Sequence, residues 1–183
     1  MITKKLGGAI GLLLLVSGSG GAATVRLELK ASYFRPTEQA FLDIYGGGPR
    51  YGGEVDIGLW KGFDLWLGGN SFSRDGELTF TKEKTELQIM PIGAGLKYNW
   101  TKGRIRLYTA AGLSSFQYKE SNPIGEVSKS RVGLTAEMGS YVKIAGGLLV
   151  DVFLGYSVCY IESADFKVNI GGLGAGLGLA YEF

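Results

Sequence analysis

Past residue 23 the chain alternates apolar and polar side chains with a period of two, in one run after another separated by turn-forming residues. Val25, Leu27, Leu29, Ala31 and Tyr33 alternate with Arg26, Glu28, Lys30 and Ser32. At the other end Leu173, Ala175, Leu177, Leu179, Tyr181 and Phe183 alternate with Gly174, Gly176, Gly178, Ala180 and Glu182. Six further runs span about 51–60, 63–72, 85–98, 104–118, 131–142 and 148–160. Such a chain is restricted to an all-β fold of eight strands, each with one apolar face. The parity slips near Pro91 and Gly171, where bulges are expected.

The connections fall into two kinds that alternate along the chain. Segments 60–63, 99–103 and 143–147 are tight turns, whereas 35–50, 73–84, 119–130 and 161–166 are longer and more polar. With antiparallel strands, all short turns then lie at one end and all long loops at the other. The predicted architecture is an eight-stranded antiparallel up-and-down β-barrel, with the end asymmetry of transmembrane barrels. A soluble lipocalin-like ligand-binding barrel also alternates, with its apolar face inward.

Three features favour an apolar face turned to lipid. Tyr33, Phe63, Tyr98, Trp100, Tyr141, Tyr156, Tyr181 and Phe183 sit on or beside the apolar parity near strand ends, where two interfacial girdles would use them. Gly174, Gly176 and Gly178 crowd the polar parity, which suits a narrow interior and not a solvent face. The last apolar-parity run ends on Phe183.

Composition removes other classes. With no His and one Cys, His-based catalytic triads, His-ligated zinc, cysteine cages and internal disulfides are excluded. The 31 glycines follow no Gly-X-Y period. Lys4 and Lys5, the uncharged run 6–16 and the small residues Gly21, Ala22 and Ala23 have the layout of a secretory signal peptide, giving domains 1–23 (signal) and 24–183 (barrel). Eleven apolar residues are too few for a helical anchor, which needs about 20. Without Lys4 and Lys5 basic and acidic residues balance, so no nucleic-acid partner is expected.

The ending Leu177-Gly178-Leu179-Ala180-Tyr181-Glu182-Phe183 resembles the carboxyl-terminal assembly signal of bacterial outer-membrane barrels. The segments 91–98 (PIGAGLKY) and 107–113 (LYTAAGL) are similar to central strands of small OmpX-like and OmpW-like proteins. The resemblance, which also takes in the OmpA-type barrel, implies an outer-membrane location and contact with lipid. It implies recognition of Leu177, Leu179, Tyr181 and Phe183 by the barrel assembly machinery, and host or surface ligands met through the loops. The OmpA type often carries a peptidoglycan-binding domain after its barrel; none is expected here. Enzymes of that membrane generally rely on histidine, so a non-enzymatic protein without cofactor or metal is expected.

For the interior, the polar parity carries Arg26, Glu28, Lys30, Glu54, Asp56, Lys97, Arg104, Arg106, Glu137 and Asp151, together with Asp64, Glu86, Arg131 and Glu182. These form either a plug of mutually paired charges or a polar conduit. Trp66, Met90, Tyr108 and Phe153 are the uncharged inward candidates. They either fill space or line a pocket for small hydrophobic solutes, as the OmpW-like resemblance implies for a narrow transporter. In the first long loop Thr37 is positioned to cap a short helix bearing Phe41, Ile44 and Tyr45 and ended by Gly46. That helix is a lid, an interfacial foot, a partner contact or a loop packed on its own barrel. Residues 172–176 (GLGAG) lie inside a strand pattern with no helix after them, which rules out a nucleotide loop. The expected role is therefore structural or surface-interacting, with hydrophobic-solute transport as the alternative.

Overall fold

A computed structural model describes residues 24–77, 84–123, 125–163 and 166–183. Residues 1–23, expected to be a signal peptide, lie outside these residues. The strands of the barrel are β1 (Val25–Pro36), β2 (Gly48–Trp60), β3 (Phe63–Glu77), β4 (Lys84–Lys102), β5 (Ile105–Asn122), β6 (Gly125–Ala145), β7 (Leu148–Val158) and β10 (Gly172–Glu182). They close in the order β1-β10-β7-β6-β5-β4-β3-β2, every neighbouring pair antiparallel. The helix α1 (Gln39–Tyr45) follows β1, and the hairpin of β8 (Tyr160–Ser163) and β9 (Phe166–Asn169) stands between β7 and β10 as a separate two-stranded sheet.

Local sequence sets the short-turn end. Lys61 (φ 51°) and Gly62 (φ 85°) place both central residues of the β2–β3 hairpin at positive φ, the geometry whose twist matches the flanking strands. Gly103 and Gly146 take positive φ in the other two short turns. Register shifts occur between Gly58 and Trp60 and between Lys143 and Ala145, both next to such turns.

The outside of the lower barrel, nearer these turns, is apolar. Leu29, Leu113, Leu134, Leu154 and Leu177 are all more than half exposed. An exterior of this kind is stable in hydrocarbon and not in water, and closure satisfies every strand edge within it. Trp60, Phe63, Tyr98 and Trp100 form a continuous ladder at the short-turn rim, with successive ring centroids 5.2, 4.8 and 5.7 Å apart. Tyr181 and Phe183 continue that rim, and Tyr33, Tyr51 and Tyr156 are exposed toward the other border. Tyr141, expected in a girdle, is instead 0% exposed inside the barrel. It stands four residues from the inward Glu137 on the same strand, hence on the same face.

Several strands run beyond this apolar belt. Segment 119–130, expected as a loop, is almost all strand, with Asn122 opposite Gly125 at the tip. Nearly every residue from 125 to 132 is exposed, so the pairing continues although neither face of that stretch is buried. No bulge forms at Pro91. The β3–β4 ladder skips Asn70 and Ser71 and resumes in the same register, since proline donates no hydrogen bond to it. The apparent slip is a change of face for the apolar residues: Ile92, Leu96 and Tyr98 point outward, whereas Leu87 and Ile89 are buried inside. At Gly171 the chain is outside the barrel sheet altogether, its amide bonded to Asn169 Oδ1 at 3.0 Å.

The upper interior is consequently a hydrophobic core. Phe34, Phe72, Leu87, Ile89, Phe116, Tyr118, Cys159, Ile161 and Ile170 fill it, and α1 closes it with Phe41 and Tyr45. The helix thus packs on its own barrel. Gly46, at φ 64°, ends it as expected. Thr37 does not cap it; the residue at the cap position is Glu38, without a side-chain cap bond, and Thr37 Oγ1 accepts a hydrogen bond from Asn169 Nδ2 at 3.1 Å.

Candidate functional site: the barrel interior

Below the hydrophobic core, inward positions of all eight barrel strands bring charged groups together. At the bottom Arg26 Nε meets Asp56 at 2.9 Å and its Nη2 meets Asp64 at 2.6 Å, while Arg106 pairs with Glu182. One layer higher Lys97, 0% exposed, donates to Glu54, to Asp56 at 2.9 Å and to the Tyr141 hydroxyl at 2.9 Å. Tyr141 in turn donates to Glu28 at 2.8 Å. Lys30 bridges Glu137 and Glu54, and the Tyr108 hydroxyl lies 2.9 Å from Glu137 and 2.8 Å from Asp151.

Aromatic faces complete this layer. Tyr108 and Tyr141 stack at 4.8 Å, Lys97 Nζ lies 4.6 Å from the Tyr108 ring centroid, and the Arg26 guanidinium carbon lies 4.3 Å from that of Tyr141. Arg26, Lys30 and Lys97 are thus held between carboxylates and ring faces, which is what makes their burial tolerable. Glu28, Glu54 and Asp56 offer closely spaced carboxylate oxygens, but Lys97 already occupies the position between Glu54 and Asp56 that a cation would take.

Nine of the ten residues expected in the charge network therefore meet inside the barrel; Arg104 does not. It is exposed in the turn between β4 and β5, where its carbonyl accepts from the Lys143 amide at 3.1 Å. Glu86 and Arg131 are likewise exposed above the belt. Sequence parity missed two participants, Tyr141 and Asn99, the latter donating to Asp64 at 2.9 Å. Counting by twos from Lys97 reaches Asn99, just as counting from Glu137 reaches Tyr141.

The uncharged candidates divide three ways. Trp66 and Phe153 line a cavity of about 70 Å³ between the charged layer and the hydrophobic core. Trp66 lies flat across β4 and β5: a Cβ at Gly95 would stand 2.7 Å from its Nε1, and one at Gly112 2.6 Å from its Cζ2. Tyr108 belongs to the charged layer. Met90 is not inside at all. With no bulge at Pro91 it shares the outward parity of Ile92, and its sulfur accepts from the outward Gln88 at 3.8 Å.

No protein-family model matches the chain, and no curated protein matches it. Solved structures do. Outer membrane protein OprG from Pseudomonas aeruginosa is 12% identical with TM-score 0.68, covering 88% of this chain and 96% of its own. Neisserial surface protein A is 14% identical with TM-score 0.64, covering 87% and 97%. Ail, the attachment invasion locus protein of Yersinia pestis, solved with the heparin analogue sucrose octasulfate, is 17% identical with TM-score 0.57, covering 87% and 99%. At these identities the likeness is one of fold, and the fold is that of the small eight-stranded transmembrane β-barrels of bacterial outer membranes.

Proposed function

We propose that the protein is a non-enzymatic, closed barrel resident in the bacterial outer membrane, acting through its long-loop end as a structural or surface-interaction protein. Residues 1–23 serve as the export signal, and the short turns face the periplasm. The observation that carries the closed-bore reading is the double obstruction of the interior: the paired charges around Lys97 and Tyr141, then the apolar core around Phe72 and Phe116. A solute passing through would have to break a compensated ion network and then part a packed core. OprG and Ail are similar in fold, and Ail was solved with a heparin analogue; here the outer tier carries mixed charge, as in the pairs Lys119–Glu126 at 3.1 Å and Lys167–Glu162 at 3.8 Å. Partners met by such a surface are recognised through shape and mixed polarity and not by a basic field. Outward Leu177, Leu179 and Tyr181 with the exposed Phe183 are available to the barrel assembly machinery as the terminal signal.

Planar-bilayer recording with purified wild-type protein tests the closed bore. The expected outcome is no sustained conductance, unchanged in Arg104→Gln because Arg104 is outside the network. Steady single-channel currents that respond to Glu137→Gln would replace this reading with a polar conduit.

A further inference from the structure

The cavity between the two tiers contains one cation that the ion network leaves unused. Arg50 on β2 donates from Nε to Ser32 Oγ at 3.2 Å, and its guanidinium carbon lies 5.1 Å from the Phe34 ring centroid. Among the described residues no carboxylate lies within ion-pair distance of it. Two acids also line the cavity from below, and both are committed: Glu137 to Lys30 and Tyr108, and Glu54 to Lys97 and Lys30. A Cβ at Gly174 would stand 2.5 Å from Arg50 Nη2, so the bare backbone there lets the guanidinium lie against β10. Among the described residues neither Nη1 nor Nη2 makes a hydrogen bond, and Arg50 lines the cavity.

The rest of the lining defines what fits. Ser114 and Thr135 bond to each other at 2.9 Å, and the apolar walls are Trp66, Phe116 and Phe153. A guanidinium fork matches a carboxylate bidentately, whereas an inorganic ion would leave the aromatic faces against its hydration shell. Pockets of this composition bind an apolar body oriented by a few polar groups. A water position takes roughly 10–15 Å³ of such space, so about 70 Å³ holds a molecule of roughly four or five carbons with its carboxylate. We propose that this cavity binds a small monocarboxylate, its oxygens on the Arg50 guanidinium and its short chain among Trp66, Phe116 and Phe153. The site lies above the charged layer, so a ligand from the long-loop end crosses only the upper core, and no path through the barrel is created.

The test uses the full barrel folded in detergent, with Trp60→Phe and Trp100→Phe so that Trp66 is the only indole. Titration with sodium butyrate is expected to give a saturable change in Trp66 emission, at least tenfold stronger in apparent affinity than sodium chloride or 1-butanol. Arg50→Gln is expected to weaken butyrate at least tenfold, and Arg50→Lys less. Gly155→Val supplies an independent variant: the nearest atoms to a Cβ there, Ala136 O and Glu137 Oε2, are both at 3.7 Å, ordinary van der Waals distance, and Gly155 lines the cavity, so the side chain enters it and should abolish binding with Arg50 intact. An absent or unsaturable butyrate response, equal affinity for chloride, or binding retained in Gly155→Val overturns the proposal. Should Arg50→Gln fail to fold, Gly155→Val decides alone. The bilayer recording is a separate measurement, so failure here leaves the closed bore standing.

Discussion

In the half of the barrel beside the short turns, Lys97 and Tyr108 point inward to carboxylates while Leu96 and Leu107 point outward; in the other half, Ile89 and Phe116 point inward while Gln88 and Gln117 point outward. The backbone is the same continuous ladder in both, with β4 and β5 paired from Glu86↔Ser121 to Lys102↔Ile105 in one register. What changes is the medium outside. Where hydrocarbon surrounds the strands, apolar groups gain nothing by being inside and the bore is left to polar groups that pair. Where water surrounds them, burial of apolar area again drives packing, and the upper barrel is built as a soluble β-protein is. The two interiors meet at the cavity, lined by Lys30 and Glu54 from one side and Phe116 from the other.

Three sets of substitutions probe this contrast. The largest effect is expected for Lys97→Met, which removes the cation shared by Glu54 and Asp56 and leaves them to Lys30 and Arg26; a loss of about 3–5 kcal/mol should be seen by urea unfolding in lipid vesicles. Next, adjacent residues with opposite facings should separate. Ile89→Ala should cost about 2–5 kcal/mol as a cavity mutation, because its side chain is in the upper core. Met90→Ala, on the outer face, should cost clearly less in the same assay, and equal losses would mean that the parity does flip at Pro91. The third pair reads the medium: Leu113→Arg in the belt should cost about 2–4 kcal/mol if it lies near the bilayer midplane. Gln117→Arg, two inward–outward periods higher on the same face of β5, should stay within about 0.5 kcal/mol. Comparable penalties at both positions would extend the membrane past Gln117.

The lower half was the more legible one. Alternation from Val25 to Tyr33 and from Leu173 to Phe183 announces strands, lipid face and bore together, and nine members of the charge network follow from parity alone. The errors cluster where the medium changes. An apolar residue on the wrong face reads as a bulge if one solvent is assumed throughout, and that assumption at Pro91 turned Met90 and Glu86 inward. Arg50 fell in a segment read as loop because Gly46, Gly47, Gly48 and Pro49 stand directly before it, so the cation at the cavity carried no pattern of its own. Tyr141 looked like a girdle residue because its chemistry suits a membrane border; its spacing from Glu137 was the better guide.

Cys159 gives the upper core a further use. It is the chain's one thiol, it is 1% exposed beneath the β8–β9 hairpin, and its Sγ contacts the Arg131 carbonyl at 3.8 Å. Burial pushes its pKa up, so little thiolate exists at neutral pH, and thiolate is the form that alkylating reagents attack. Slow labelling of Cys159 in the intact barrel therefore reads how often the outer tier stands open, without any foreign probe.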